Sequence, residues 1–233
     1  MSHPTQLAFF AHWIDAFPEN FSRSVVDFGS WDVNGGPHRL IDPDFYLGVD
    51  LSPGPNVSLV CRGELVDLPS ASFSVAMASE TFEHAPTWQA ILVNMIRLTE
   101  PGGLVIFSCA GRGRLEHGTT ASGDPQSAEA AVLVGQEHYA NVSKNDVESS
   151  LNLAAYFDAY MLVEEFEQSD TLFCGLRSHA SPSEKCRFLQ ASADWQSRRL
   201  GWKEPIRRLL VQVIGDRGMQ KLRFRRKSRQ VAT

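Results

Sequence analysis

Short strand-like runs alternate with helical segments along the first half of this 233-residue chain, and that order constrains the fold more than any single motif. Residues 104–110, LVIFSCA, are apolar or small throughout. A continuous run of this kind suits a central parallel strand that is covered on both faces. Strands that alternate with helices form parallel sheets, so the order predicts an α/β fold.

Seven strands and at least three helices can be placed on the sequence. The strands are predicted at 24–29, 46–51, 57–62, 74–79, 104–110, 160–168 and 171–179. Helices are predicted at 5–17, from about Ile91 until Pro101-Gly102-Gly103 ends the apolar rhythm, and after Ser143, which has the pattern of an N-cap. A polar turn near Ser169 would make the last two strands antiparallel. The result is a three-layer sandwich with a mostly parallel sheet and one antiparallel strand.

The charge is distributed unevenly, which predicts a boundary near residue 180. Residues 1–180 hold 8 Lys and Arg against 23 Asp and Glu, whereas residues 181–233 hold 14 against 4. We therefore divide the chain into a domain at 1–180 and a basic, mostly helical C-terminal appendage at 181–233. The appendage can pack on the acidic body, form a homodimer or partner surface, or contact nucleic acid or an anionic membrane.

The rest of the composition favours a cytoplasmic protein. No apolar run approaches the roughly 18 to 20 residues that span a bilayer, and the first residues lack the pattern of a signal peptide. The four cysteines are far apart in the sequence and are expected to be small buried side chains. No zinc motif or magnesium-type acid cluster is evident, so no metal is predicted.

Candidate ligand-binding residues stand at the predicted strand ends. In an open parallel sheet the ligand lies beyond the carboxyl ends of the strands. Asp50, 21 residues after Gly29, occupies the place where such folds put a carboxylate against ribose hydroxyls. The alternative is a solvated loop aspartate.

The first strand ends in an unusual turn, VVDFGSWDVNGG at residues 25–36, where Trp31 and Val33 replace expected glycines. Gly29 would allow close approach of a ligand, and Asn34-Gly35-Gly36 would supply the unusual backbone angles before Pro37 begins a short helix. We expect Trp31 to point away from the ligand or to form a wall over it.

Five motifs in order, VVDFGS, YLGVDL, GELVDLP, FSVAMASETFEH and RLTEPGGLVIFSCA, resemble those of class I S-adenosylmethionine-dependent methyltransferases of the small-molecule, methyltransferase-11-like type. The resemblance covers roughly residues 20–178. It implies a Rossmann-like fold with a seven-stranded sheet and S-adenosylmethionine as cofactor. A binding protein that kept this fold without the chemistry is the alternative, and an NAD-dependent oxidoreductase is a more distant one.

The resemblance also implies roles for the strand-end residues. Asp27, Gly29 and Ser30 would border the methionine portion of the cofactor, Asp50 and Leu51 the ribose, Glu64 and the backbone of Leu65 the adenine edge, and Ser79 and Glu80 the sulfonium. Glu83-His84 matches a frequent pair of the family. His84 would line the site or be a structural histidine at a helix start.

The acceptor side of the site is expected in the segment 111–142. The run Glu116-His117-Gly118-Thr119 resembles a segment of bacterial relatives with the same first turn, and His117 is the candidate base for a hydroxyl acceptor. Possible substrate contacts are Arg112, Arg114, Glu116 and Tyr139. An exposed loop histidine and a packing tyrosine are the alternatives. The predicted reaction is O-methylation of a sugar or secondary metabolite, and an amine acceptor stays open.

Overall fold

The computed structural model describes residues 4–198 and 204–231, and its centre is one seven-stranded sheet. The strands are β1 (Ser24–Phe28), β2 (Phe45–Asp50), β3 (Leu59–Val60), β4 (Phe73–Ser79), β5 (Thr99–Ala110), β6 (Phe157–Glu165) and β7 (Asp170–Arg177). Their order is β3-β2-β1-β4-β5-β7-β6. Strand β7 runs antiparallel to both β5 and β6, and the other pairs are parallel. This arrangement confirms the predicted Rossmann-like sandwich with one antiparallel strand.

Strand β5 is the buried centre of the sheet, as its apolar sequence indicates. All residues from Leu104 to Ala110 are buried. The strand nevertheless begins at Thr99, because Thr99 pairs with Phe73 across an irregular register. The expectation that Pro101-Gly102-Gly103 separates helix from strand is therefore wrong. Gly102 has a φ of +72°, a left-handed conformation that glycine adopts without strain.

Helices cover both faces of the sheet. They are α1 (Pro4–Ala16), α2 (Pro18–Phe21), α3 (Trp88–Leu98), α4 (Glu129–Leu133), α5 (Lys144–Ser150), α6 (Pro182–Gln196) and α7 (Glu204–Val231). Aromatic side chains of α1 pack against those of α6, with ring centroids 4.6 Å apart for Trp13 and Phe188. Helix α3 buries Leu92 and Met95 in the core on the opposite face. The predicted cap of α5 is confirmed: Ser143 and Asp146 form a capping box.

Helix α7 attaches to the body through a small part of its surface. Among its described side chains, Val211 and Met219 are buried and pack with Phe166. Ile206, Leu209 and Val213 are apolar residues of the same helix, but they are exposed. A kink at Gly215, with a φ of +66°, interrupts the helix. Trp202 and the cationic side chains of residues 222–229 lie outside the described residues and side chains.

None of the helices in the described parts of the chain has the length and apolarity needed to cross a bilayer.

Candidate functional site

A deep cleft opens at the carboxyl ends of β1, β2 and β4. The space outside the protein atoms in this cleft, with the open solvent at its mouth included, is about 1140 Å³. The residues predicted to bind a cofactor that line it are Asp27, Gly29, Ser30, Asp50, Leu51, Glu64, Ser79 and Glu80. Residues 128–131, which include the start of α4, also line it. The Ser52 hydroxyl donates to the Ala130 carbonyl at 3.3 Å and ties this segment to the end of β2.

The unusual first turn, residues 29–36, lines the cleft along its whole length. Gly29 has a φ of +76°, and a Cβ there would overlap the Thr81 side chain, so only glycine fits. Gly35 also has a positive φ, +98°, whereas Gly36 is extended, and a 3-10 helix begins at Pro37. The Trp31 indole lines the cleft and packs on Gly54, where a Cβ would lie 2.7 Å from ring atoms. Trp31 is therefore a wall of the cleft.

Asp27 is a buried carboxyl at the end of β1, with 4% of its surface exposed. Burial raises its pKa to about 7, and the hydrogen bond from Tyr46 opposes part of that rise. The Tyr46 hydroxyl donates to Oδ2 at 2.7 Å and itself accepts from Asn56 Nδ2 at 2.7 Å. Asp27 can therefore change protonation near neutral pH, inside the cleft.

Asp50, at the end of β2, is held by two backbone amides. The Trp31 amide donates to Oδ2 at 2.9 Å and the Leu51 amide to Oδ1 at 2.7 Å. Burial raises its pKa, and these two amides counteract the rise. A carboxylate oxygen can accept more than one hydrogen bond, so both oxygens keep capacity to accept from a diol.

Glu64 and Leu65 lie in a 3-10 turn, Gly63–Leu65, and only Glu64 lines the cleft. Arg62 and the Thr87 hydroxyl donate to Glu64 Oε1 at 2.8 and 2.9 Å. Although burial opposes it, hydrogen bonds from its own amide, Arg62 and Thr87 lower the pKa of Glu64. The Leu65 amide donates to the Arg62 carbonyl and 63% of the residue is exposed, so the structure does not bring Leu65 to the cleft.

Glu80 follows β4 with a φ of +54°, a left-handed conformation that is strained for a residue with a Cβ. Arg114 holds it there: the guanidinium lies 3.1 Å from Glu80 Oε2 and 2.7 Å from Asp170 Oδ1. Burial would raise the pKa of Glu80, but His117 and the charge of Arg114 hold it well below its ordinary value. Arg114, predicted as a substrate contact, is thus engaged in a buried ion-pair network.

Other predicted acceptor contacts are dispersed over the segment 111–142. Thr119 donates to Glu116 Oε1 at 2.7 Å. Arg112 is partly buried. Neither residue lines the cleft. These positions leave Arg112 and Glu116 as predictions for a substrate that extends beyond the cleft.

Two histidines meet a tyrosine at the inner side of the cleft. The ring centroids of His84 and His117 are 5.1 Å apart, and Tyr139 lies 5.6 Å from the first and 5.0 Å from the second. The Tyr139 hydroxyl donates to the Leu115 carbonyl at 2.9 Å. Of the three, only His84 lines the cleft itself. Burial and the charge of His117 lower the pKa of His84 to about 3, so its imidazole is neutral.

Several neighbours of this site have no direct signal in the sequence. Tyr46, Thr81 and Asp170 reach it from separate strands and turns, and no motif distinguishes them. The sequence motif indicates Glu83 only as a partner of His84, yet Glu83 is fully buried, and its Oε1 accepts from the Ala110 amide at 2.9 Å. The pairing of His84 with His117, 33 positions apart, depends on the fold.

Comparison with known proteins finds one family model that matches part of this chain and solved structures with a similar fold. A family model described as a methyltransferase domain matches residues 43–107. The fold is similar to that of the YcgJ protein from Bacillus subtilis, at 12% identity and a TM-score of 0.50, over 76% of this chain and 100% of that chain. No curated protein matches.

Two further solved structures are similar at lower scores. One is a 1,6-didemethyltoxoflavin-N1-methyltransferase from Burkholderia thailandensis, at 18% identity and a TM-score of 0.48, over 75% of this chain and 80% of that one. The other is an S-adenosylmethionine-dependent methyltransferase from Mesorhizobium loti, at 16% identity and a TM-score of 0.48, over 73% and 100%.

Proposed function

We propose, from the premise that this chain is a class I S-adenosylmethionine-dependent methyltransferase, that its acceptor is a hydroxyl group of a small molecule of the sugar or secondary-metabolite kind. The observation that carries the proposal is the partly buried pair of His84 and His117 at the inner side of the cofactor cleft. An acceptor hydroxyl must lose a proton during transfer, and this pair provides groups that assist that loss.

The residues of the cleft fit S-adenosylmethionine. Ser30 lines the cleft, and its Oγ, which lies beside Gly48 and is shielded from solvent, has no hydrogen-bond partner among the described residues. Asp50 retains acceptor capacity for a ribose diol, and Asp27 and Glu80 supply carboxyl groups for a cationic ligand. When bound, the cofactor supplies a methyl group on a positively charged sulfur. The chain then has to align the acceptor and exclude water.

The position of α4 supports a cofactor cleft with the acceptor side next to it. The segment that contains α4 packs over the cleft, with Ala130 and Ala131 buried, and the same segment 111–142 carries His117 and Tyr139. One stretch of chain therefore both covers the cofactor and presents the acceptor side. Differences in this stretch would change the acceptor without changing the cofactor cleft.

A non-catalytic binding protein would be favoured if Trp31, which stands where a glycine is expected, filled the cleft. The indole packs on Gly54 and forms a wall, which leaves the cleft open. The blocked pocket that motivated this alternative is therefore not present at Trp31.

The proposal is tested by incubating the untagged full chain with S-adenosylmethionine and separate panels of sugars, phenols and primary amines, with methylated products measured by mass spectrometry. We expect products from a hydroxyl panel. His117→Ala should reduce their formation by about 100-fold or more. Its affinity for S-adenosylhomocysteine, measured by calorimetry, should stay nearly unchanged, because His117 does not line the cleft.

The matched control is His179→Asn, which removes an exposed imidazole and leaves a residue that tolerates the positive φ of 71°. It should behave like the unsubstituted chain. Methylation of amines alone would contradict the hydroxyl acceptor. A His117→Ala variant that loses cofactor affinity as much as turnover, or that changes neither, would contradict the role of His117.

A further inference from the structure

Three neighbouring side chains beside the cleft each have a buried polar atom without a hydrogen-bond partner among the described residues. Glu83 Oε2, His84 Nε2 and His117 Nε2 are shielded from solvent, and no described residue hydrogen-bonds to them. One ligand-type atom from each of the three residues can be chosen so that all lie within 4.8 Å of one another. A buried polar atom without a partner is unfavourable, so three in neighbouring residues require an explanation.

The hydrogen bond made by Nδ1 of each imidazole determines whether its Nε2 carries a hydrogen or a lone pair. His84 Nδ1 lies 3.3 Å from the His138 carbonyl oxygen, and His117 Nδ1 lies 3.1 Å from that of Leu115. A carbonyl oxygen only accepts, so each Nδ1 carries the hydrogen and each Nε2 of a neutral ring presents a lone pair. An Nδ1–H bonded to a backbone carbonyl is also the usual outer contact of a metal-binding histidine.

The surroundings are short of positive charge. Arg114 pairs with Glu80 and Asp170, whereas Glu83 has no Lys or Arg partner among the described residues. The His117 Nε2 atom lies 3.6 Å from Glu80 Oε2 and 4.0 Å from Glu83 Oε1, so two buried carboxyl groups face the same nitrogen. Two negative charges at this distance from one atom would repel each other. A cation between these groups would relieve the repulsion.

We propose that Glu83, His84 and His117 bind a divalent transition-metal ion beside the cofactor cleft. Two imidazoles and one carboxylate suit Zn²⁺ and neighbouring first-row ions, and three protein ligands leave a position open for a further ligand. Zn–N bonds of about 2.0–2.1 Å place tetrahedral ligands roughly 3.3 Å apart. Binding would therefore draw the three groups together from their present separations.

The open position gives the ion a role in the reaction, and this part of the inference rests on the proposed function. An acceptor hydroxyl bound to the ion would become more acidic, as water does on zinc. Its proton would pass to solvent, and the resulting alkoxide would attack the methyl carbon while the carbon–sulfur bond breaks. His84 and His117 would then be ligands that activate the acceptor, and His117 would not be a free base.

Metal binding is measured directly on the untagged full chain after treatment with a chelator. Zn²⁺ is titrated by calorimetry, and Co²⁺ is titrated by visible absorption, which reports the ligand geometry. We expect one ion per chain. Glu83→Gln, His84→Ala and His117→Ala should each weaken binding by at least about tenfold. The control His179→Asn should bind as the unsubstituted chain does.

Glu83→Gln is the variant expected to keep its fold, because the glutamine amide oxygen can still accept from the Ala110 amide. Its affinity for S-adenosylhomocysteine and its circular dichroism should match those of the unsubstituted chain. The proposal is overturned if the chain binds no Zn²⁺ at micromolar concentrations, or if the three substitutions leave the affinity unchanged. Methyl transfer that persists in the chelated protein would keep the proposed function and remove the ion's role in it. Zn²⁺ binding without any methyl transfer would keep the metal site and contradict the proposed function.

Discussion

Asp27 illustrates how a single side chain can make both stability and binding depend on pH. Its carboxyl group is buried at the end of β1, and burial is the largest cause of its raised pKa. The one hydrogen bond described for its side chain comes from Tyr46. Above neutral pH the folded chain therefore carries a buried negative charge in the cleft, and a cationic ligand would stabilise it.

The sign of the effect on stability follows from the two pKa values. The pKa of Asp27 rises from 3.8 to about 7 on folding, so the folded state retains a proton that the unfolded state loses between these values. Its contribution to stability is full below about pH 3.8 and is lost as the pH rises through about 7. Asp27→Asn should therefore be more stable than the unsubstituted chain at pH 8, by about 4 kcal/mol at most.

Urea unfolding at pH 4.5, 6 and 8 checks this expectation, and the difference should shrink toward pH 4. Asp158→Asn is the comparison, because Lys185 lowers the pKa of that exposed carboxyl. That substitution should destabilise the chain at pH 8. A gain for Asp27→Asn that does not vary with pH would show that its carboxyl does not titrate in this range.

The sequence predicts those site residues whose place in the fold follows from their position at the end of a strand. Asp27, Asp50 and Glu80 stand at strand ends, and parallel strands bring those ends together. The backbone of Leu65 is expected at the adenine edge of the cofactor, but its amide donates to the Arg62 carbonyl within a 3-10 turn. The clustering of Glu83, His84 and His117 depends on how the segment 111–142 folds back over β4. No spacing rule encodes that return.

At the level of elements, α7 supports the segment that carries the acceptor side. Met219 and Val211 contact the position of Gly113, where a Cβ would lie 3.1 and 3.4 Å away. Gln220 Nε2 donates to the Arg114 carbonyl at 3.1 Å. The helix therefore packs directly behind the turn that positions Arg114, even though much of its surface is exposed.

Val211→Asp should release α7 from the body. Burial of a valine contributes about 1.5 kcal/mol, and a buried charge adds a further penalty, so tryptic cleavage within the helix should accelerate by about tenfold or more. Val213→Asp, at a position with 73% exposure two residues away, introduces the same charge without that loss. Equal cleavage of the two variants in time-course electrophoresis would mean that Val211 does not anchor the helix.

Boundaries of elements were predicted less well than their order. Strand β5 starts five residues before the apolar run, because pairing with β4 continues through Thr99. In α7 the sequence offers several apolar positions, and the face that is buried is chosen by Phe166 and Gly113 on the body. Tertiary contacts determine both the start of β5 and the buried face of α7. The periodicity of a single element carries no information about such contacts.

For the whole molecule, the sheet order β3-β2-β1-β4-β5-β7-β6 makes one cleft from residues far apart in sequence. The alternation of strands and helices predicted this architecture. Helix α6, inside the predicted appendage, packs on α1, with Phe188 fully buried. The homodimer and the contact of the basic tail with nucleic acid or an anionic membrane stay predictions.

Calorimetric titration with S-adenosylhomocysteine tests the central claim most directly, when it is done on the full chain and two glycine variants. The unsubstituted chain should bind one equivalent. Gly29→Ala should bind at least about tenfold more weakly, because the added methyl group strains a positive φ and overlaps Thr81 at the cleft.

Gly135→Ala separates the effect of strain at a positive φ from the effect of overlap at the cleft. Gly135 also has a positive φ, +67°, but no atom lies within 4 Å of the added Cβ, and the residue does not line the cleft. We predict that this variant keeps the affinity of the unsubstituted chain. Failure of the unsubstituted chain to bind, or equal binding by all three proteins, would contradict a cofactor site built on the turn at Gly29.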